Sequence, residues 1–114
     1  MVLRTFTFRV PKKKEGAMLG FMRRPSTSPF DLAQGELGVK EALALLKRIP
    51  ACRTAYFLRP EGGKGEYTWV TLWTSKAARE RMMRRKEWQN FLKKETRLFA
   101  GNPRIRHYDV LLKT

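Results

Sequence analysis

Residues 66–83, EYTWVTLWTSKAARERMM, join an alternating run of residues directly to a helical one. The alternation predicts a β-strand over residues 66–74. Ser75 then stands where a helix N-cap belongs, so a helical region is expected to follow. Two tryptophans four residues apart share one face of the strand. Three interpretations of this pair are open: both rings fill the core, line a pocket or stack on the bases of a nucleic acid. The residues predicted on that face are Tyr67, Trp69, Thr71 and Trp73.

Three more strands are predicted from alternation and turn residues. They cover residues 2–10, ended by Pro11, residues 54–59, and residues 104–112. The glycine-rich segment EGGKGE predicts a hairpin turn before the 66–74 strand. It lacks the spacing of a phosphate-binding loop and precedes a strand rather than a helix.

The helical regions are predicted from apolar spacing. The strongest runs from residue 39 to residue 49 and is stopped by Pro50. Residues 12–36 are atypical, an insert or an extra helix and loop, with a short helix in KKKEGAMLGFMRR weakened by two glycines and a loop in PSTSPFD. The region after Ser75 is expected to break near Lys86.

The predicted order is strand, helical region, strand, strand, helical region, strand. This order is the α+β, ferredoxin-like split βαβ plan, a four-stranded antiparallel sheet with helices on one face. Residues 1–114 are therefore expected to form a single domain. The other face of the sheet would be bare and partly apolar, so we expect a homodimer that packs two sheets together. The residues predicted on that face are Leu3, Thr5, Thr7, Thr68, Val70 and Leu72.

Composition limits the class of protein. No stretch approaches the roughly 20 apolar residues that span a bilayer, and residues 1–10 alternate rather than form a secretion signal. A cytoplasmic protein without membrane contact is therefore expected. Cys52 is the only cysteine, which excludes an internal disulfide.

The formal net charge of +15 is the strongest compositional signal. Such a charge attracts polyanions, and nucleic acid is one partner it suggests. The basic residues are spread along the chain without a nucleic-acid-binding motif, so a solvated basic surface is the favoured interpretation and nucleic acid stays an alternative.

Few residues suggest conventional catalysis. His107, the only histidine, is predicted on the last strand, just after Arg104 and Arg106, where a surface role is favoured over a base or a haem ligand. The carboxylates, Glu41 and Glu95 among them, are predicted mostly on helix surfaces and turns, and no pair suggests a metal site.

A resemblance to a known family arises from the same stretch. Trp73 followed by TSKAARERMM and then KEWQNFLKK resembles the W-x-S/D-x-x-A element of antibiotic biosynthesis monooxygenase-like domains, which are dimeric α/β barrels. The segment KRIPACRTAYFLRPEGGKGEYTWVTLW also resembles the family's stretch from the first helix to the third strand. The resemblance covers roughly residues 37–112.

The resemblance implies a pocket between sheet and helices that holds a flat, apolar or aromatic molecule. Trp73 is carried over as the aromatic that stacks on this ligand, and Arg4 or Arg79 would stabilise an oxyanion during oxygenation. The residues predicted to line the pocket are Arg4, Phe6, Phe8, Tyr67, Trp69, Thr71, Trp73, Arg79, Met82 and Met83.

The chain also departs from the family's polar residues. Cofactor-independent oxygenases have an asparagine where Trp69 stands and a tyrosine where Arg79 stands; haem-degrading relatives have a histidine near Met83 and an asparagine near Arg4. The polar residues that these two chemistries use are therefore absent from this chain. The prediction from the resemblance is a monooxygenase-like protein with no cofactor, with haem kept as an alternative. A non-catalytic ligand-binding dimer and a polyanion-binding protein are the competing hypotheses.

Overall fold

The computed structural model describes residues 1–23, 38–63 and 65–114. Its centre is an antiparallel sheet of four strands, in the order β2-β3-β1-β4. The strands are β1 (Val2–Arg9), β2 (Cys52–Leu58), β3 (Glu66–Trp73) and β4 (Arg104–Asp109). The predicted ferredoxin-like α+β fold is confirmed.

Four α-helices are found in the described part of the chain: α1 (Glu15–Arg23), α2 (Val39–Lys47), α3 (Lys76–Met83) and α4 (Lys86–Thr96). The side chain of Ser75 caps α3 by accepting a hydrogen bond from the backbone N–H of Ala78 at 3.2 Å. The expected break falls at Arg84 and Arg85, immediately before α4.

Element bounds differ from the predicted ones by a few residues. β2 begins at Cys52, two residues early, because a register irregularity between Cys52 and Thr54 still lets Cys52 pair with Trp73. β4 ends at Asp109 rather than at residue 112, where its pairing with β1 stops. The loop predicted at residues 25–31 lies outside the described residues.

One face of the sheet carries the core. Phe6, Phe8, Trp69 and Trp73 on the two central strands are buried beneath all four helices. The helices contribute a single connected set of apolar side chains to the same core: Met18, Val39, Ala42, Leu46, Met82, Trp88 and Phe91. Burial of these large side chains supplies most of the favourable free energy of folding.

The opposite face of the sheet, called the open face here, has no helix of the described residues on it. Leu3 pairs with Leu72 and Thr5 with Val70 across the centre of this face. Tyr56, Leu58 and Tyr108 are exposed on the outer strands beside them. The alternation predicted for β1 and β3 is thus confirmed.

Candidate functional site

The tryptophan pair divides into two environments. The ring of Trp69 lies in the aromatic core, with ring centroids 4.8 Å from Phe57, 5.9 Å from Trp88 and 5.7 Å from Phe91. It is 2% exposed. Both indoles lie under the helices, so neither is on the open face where a base could stack on it.

A buried carboxylate accepts the indole N–H of Trp69. Nε1 of Trp69 donates to Oε2 of Glu95 at 2.8 Å, and Glu95 is 0% exposed. Oε1 of Glu95 has no hydrogen-bond partner among the described residues. Burial raises the pKa of Glu95 to about 8, against the opposing effects of the Trp69 hydrogen bond and the nearby charge of Arg4.

Two buried arginines lie near this carboxylate. Arg4 is 8% exposed, and its guanidinium carbon lies 5.2 Å from the centroid of the Phe6 ring, a cation–π contact. Arg79, on α3, is buried to a similar degree. Burial and the charge of Arg79 lower the pKa of Arg4, whereas Glu95 raises it. Two cations therefore share this region with a carboxyl group whose pKa is raised by burial.

Trp73 ends β3 near these arginines. Its Nε1 donates to Oγ1 of Thr71 at 2.8 Å, which fixes the ring against its own strand. Trp69 contacts the rings of Phe57, Trp88 and Phe91, whereas no such ring contact is found for Trp73 among the described residues. Val2 of β1 pairs directly with Trp73, and Arg4 pairs with Thr71.

A cavity of about 240 Å³ opens beside this end of the sheet. Val2 forms its apolar part, next to Trp73 in the sheet register. The remaining lining residues come from α3 and β4 and are mostly polar: Lys76, Arg79, His107, Tyr108 and Asp109. The cavity is smaller than the about 300–1,000 Å³ typical of sites for drug-sized ligands, so it suits a small ligand of one or two rings.

The charge around the cavity is mainly positive. His107 pairs with Arg4 across the β1–β4 ladder. Burial and the charges of Arg79, Arg4 and Lys76 lower the pKa of His107, and only Glu80 acts in the opposite direction. The Arg79 guanidinium lies 3.9 Å from the half-exposed carboxylate of Glu80, a weak pairing. We call Lys76, Arg79, His107 and Asp109 the polar wall of this cavity.

The ten predicted pocket residues do not form one site. Trp73, Thr71, Arg4 and Arg79 lie together at one end of the central strands. Phe8 and Tyr67 lie near the other end and border two different cavities. Tyr67 is about 20 Å from Trp73 along the strand, given the rise per residue of an extended chain. The others lie between these ends, within or against the core: Phe6, Trp69, Met82 and Met83.

Glu95 was not predicted as a site residue. By residue type it was expected mostly on a helix surface, although its spacing also placed it in the apolar stripe of Trp88 and Phe91. The surface prediction is wrong for Glu95 and for Glu41, both of which are buried. The signal was present in the spacing, because Glu95 continues the buried stripe of Trp88 and Phe91 on α4.

The residues present do not fit a haem. His107, the only histidine, stands on a strand whose residues are all exposed, beside a cavity much smaller than a macrocycle needs. Met83 and Arg4 occupy the positions where the resemblance would place polar haem-site residues. In residues 1–23, 38–63 and 65–114, no group of three or more His, Cys, Asp or Glu side chains could hold a metal ion. None of the helices described is long and apolar enough to cross a membrane.

Solved structures with the same fold include several oxygenases. A crystal structure of an antibiotic biosynthesis monooxygenase superposes with a TM-score of 0.74 at 9% identity, covering 98% of this chain and 100% of its own. A candidate antibiotic biosynthesis monooxygenase from Deinococcus radiodurans gives 0.74 at 9% identity, covering 100% and 96%.

A third similar structure is SnoaB, a cofactor-independent oxygenase from Streptomyces nogalater. It gives a TM-score of 0.65 at 13% identity, covering 98% of this chain and 94% of that one. The chain therefore has the fold of antibiotic biosynthesis monooxygenase structures over nearly its whole length. No protein-family model matches the sequence, and no curated protein matches it.

Proposed function

We propose that this protein binds a small, flat aromatic molecule between its sheet and its helices, at the Trp73 end of β3, and oxygenates it without a cofactor. The observation that carries the proposal is the cavity lined by Val2 and Arg79. Val2 in its lining pairs with Trp73 in the sheet register, and His107 in its lining pairs with the buried Arg4. An apolar wall of Val2 with the ring of Tyr108, next to the cationic Arg79, suits an aromatic anion such as a phenolate.

The chemistry proposed is the conversion of a phenol with a free para carbon to a quinone. One atom of O₂ forms the new bond at that carbon. Reduction of the second oxygen atom to water takes two electrons, and the substrate supplies both. The two protons of this water come from the phenolic and para hydrogens that the substrate loses. Arg4 and Arg79 would stabilise the phenolate and the oxyanion formed on oxygen addition. The similarity to SnoaB, described as cofactor-independent, supports a reaction that needs no external reductant.

The experiment is incubation with 1-naphthol and related phenols under ¹⁸O₂, followed by mass spectrometry of the products. The proposal expects one ¹⁸O atom per quinone and a rate above the protein-free background. An Arg79→Lys variant, which keeps the charge but loses the planar fork, should react more slowly. Arg81→Lys, an exposed change on the same helix, is the matched control. Rates equal to background would overturn the oxygenase part.

A second candidate, binding without turnover, is favoured by the hydrogen bonds of the tryptophans. The N–H of Trp69 is donated to Glu95 and that of Trp73 to Thr71. Trp69 and Arg79 also replace the asparagine and tyrosine that the family resemblance associates with oxygenation. Saturable binding of 1-naphthol with no product under ¹⁸O₂ would select this candidate over the enzyme.

The proposal includes a homodimer formed through the open face. Leu3 and Val70 are partly exposed at its apolar centre, beside the buried Leu72, and Tyr56 and Leu58 extend the apolar surface on the outer strand. Apolar area of this kind on a sheet face favours burial against another surface. A second copy is the simplest partner because its own open face is equally apolar.

A further inference from the structure

The polar wall of the cavity contains charged groups besides Arg79 that the proposed oxygenation does not use. Lys76 and Arg79 contribute two cations, and Asp109 contributes one carboxylate. His107 is held toward its neutral form by burial and by its cationic neighbours. The wall therefore carries one net positive charge at neutral pH.

The charge behind the wall has the same sign. Arg4 and Arg79 are both more than nine-tenths buried, and each repels the other. The nearest buried carboxyl group, Glu95, is engaged by Trp69 rather than by either guanidinium in a described ion pair. Among the described residues, Arg79 has only the weak pairing with half-exposed Glu80 at 3.9 Å, and no ion pair is found for Arg4. Because a buried charge with little counter-charge is costly, an anion in the cavity would stabilise this arrangement.

The shape of the cavity separates polar from apolar contacts. Its cationic wall is formed by the start of α3, whereas Val2 faces it from β1 beside Trp73. A ligand that fits both walls has one anionic end and one flat apolar end. Arg79 can bind a carboxylate with two parallel hydrogen bonds because its guanidinium is planar.

We propose that the cavity binds the carboxylate of a small aromatic acid, with Arg79 and Lys76 holding the carboxylate and the ring directed toward Val2 and Trp73. This inference rests on the proposed function, since it names the substrate class of the same site. Asp109 in the wall disfavours dianions and polyanions, which it repels more strongly than a monoanion.

The test is isothermal titration calorimetry of the full chain at pH 7 and physiological salt. The probes are benzoate, its neutral isostere benzamide, and inorganic phosphate. Lys76→Gln is the main variant because Lys76 is exposed, so its replacement should not disturb folding. Arg81→Gln, which removes an exposed charge from the same helix without touching the cavity, is the matched control.

We expect benzoate to bind about tenfold more tightly than benzamide, the usual scale for a charge-assisted hydrogen bond. Lys76→Gln should weaken benzoate binding about five- to tenfold and leave benzamide binding unchanged, whereas Arg81→Gln should change neither. Phosphate should bind more weakly than benzoate.

Each other outcome has a distinct meaning. Equal binding of benzoate and benzamide would overturn the acid specificity and leave the aromatic site standing. Phosphate binding as tight as benzoate would identify a simple anion site and overturn the inference. An equal loss in Lys76→Gln and Arg81→Gln would reduce the effect to the overall charge. If neither benzoate nor benzamide binds, both this inference and the proposed function are overturned.

Discussion

At the scale of single residues, the buried Glu95 is the group whose ionisation matters most for the core. It has Trp69 as its hydrogen-bond donor and a region of buried cations around it, yet the cost of burial still dominates its pKa. A carboxyl group held near neutrality in this way is a proton donor or acceptor within the physiological range. Glu95 is not among the described lining residues of the cavity, so we treat it as a core residue rather than a ligand contact.

The first prediction concerns pH and stability. The pKa of Glu95 is raised from 4.5 to about 8, so the folded protein holds one more proton than the unfolded chain between these values. The free energy of unfolding contributed by this group is therefore fully present below pH 4.5 and is lost as the pH rises through 8. The loss is of the order of 5 kcal/mol.

Urea denaturation at pH 5, 7 and 9 measures this effect. Wild-type protein should lose stability toward pH 9, and Glu95→Gln should remove most of that loss because glutamine stays neutral. Glu87→Gln, an exposed change on the same helix, should keep the wild-type slope. Parallel pH profiles for wild type and Glu95→Gln would show that Glu95 is ionised in the folded state throughout.

For these residues, the sequence pattern predicts which face a side chain occupies, but not which side chains from other elements surround it. Alternation placed Trp69 and Trp73 under the helices correctly, since period two determines which face a side chain occupies. It could not separate the two rings, because the environment of Trp69 comes from Phe57, Trp88 and Phe91 on other elements. Glu95 was assigned by residue type, although its spacing with Trp88 and Phe91 indicated burial.

At the scale of elements, the start of α3 positions the cavity. Ser75 fixes the first turn through its bond to the N–H of Ala78, and this turn carries Lys76 and Arg79 into the polar wall. Ser75→Ala should lower the free energy of unfolding by about 1 kcal/mol, measured by urea denaturation. Thr74→Ala, one residue earlier and also exposed, should change stability much less. Equal effects of the two changes would contradict a capping role for the Ser75 side chain.

Helix α1 contains an interior glycine at residue 20. A Cβ built on Gly20 meets no atom of the described residues within 4 Å, so Gly20→Ala should raise the free energy of unfolding by about 0.5–1 kcal/mol. Gly65→Ala should instead destabilise the protein, because Gly65 has φ +75° and its Cβ would lie 3.0 Å from the carbonyl oxygen of Val10. Thermal unfolding of both variants measures the two signs. A loss of stability in Gly20→Ala would contradict the described packing of α1.

The sequence predicted the elements well because their signals are local. Alternation placed β1 and β3 within one residue of their observed ends, and Ser75 and Lys86 marked the starts of helical segments. The end of β4 was missed because residues 110–112 are apolar, like a strand, while pairing with β1 stops at Asp109. Pairing depends on where β1 begins, which the composition of β4 does not show.

At the scale of the whole molecule, the two faces of the sheet differ in what covers them. The helices cover the face that holds Trp69 and Trp73, and the open face presents apolar residues around Val70 and Leu72. The first face is assigned to the ligand and the second to a partner copy. The net charge of +15 would then be carried by the surfaces away from both.

The homodimer is predicted to have twice the 13.4 kDa mass of one chain. Light scattering coupled to size exclusion at physiological salt measures it. Val70→Lys should shift the population to monomer because it places a charge in the centre of the open face. Ala77→Lys adds the same charge on the exposed side of α3 and should leave the dimer intact. A wild-type mass of one chain would contradict the open-face dimer.

The chemical shifts of the indole N–H groups of the three tryptophans report on the proposed binding of a small aromatic ligand at the Trp73 end of β3. In a ¹⁵N-labelled sample titrated with benzoate, assigned by a Trp73→Phe variant, the Trp73 signal should shift most and saturate, while those of Trp69 and Trp88 move little. A titration in which no indole signal saturates, or in which Trp69 and Trp88 shift more than Trp73, would contradict the account.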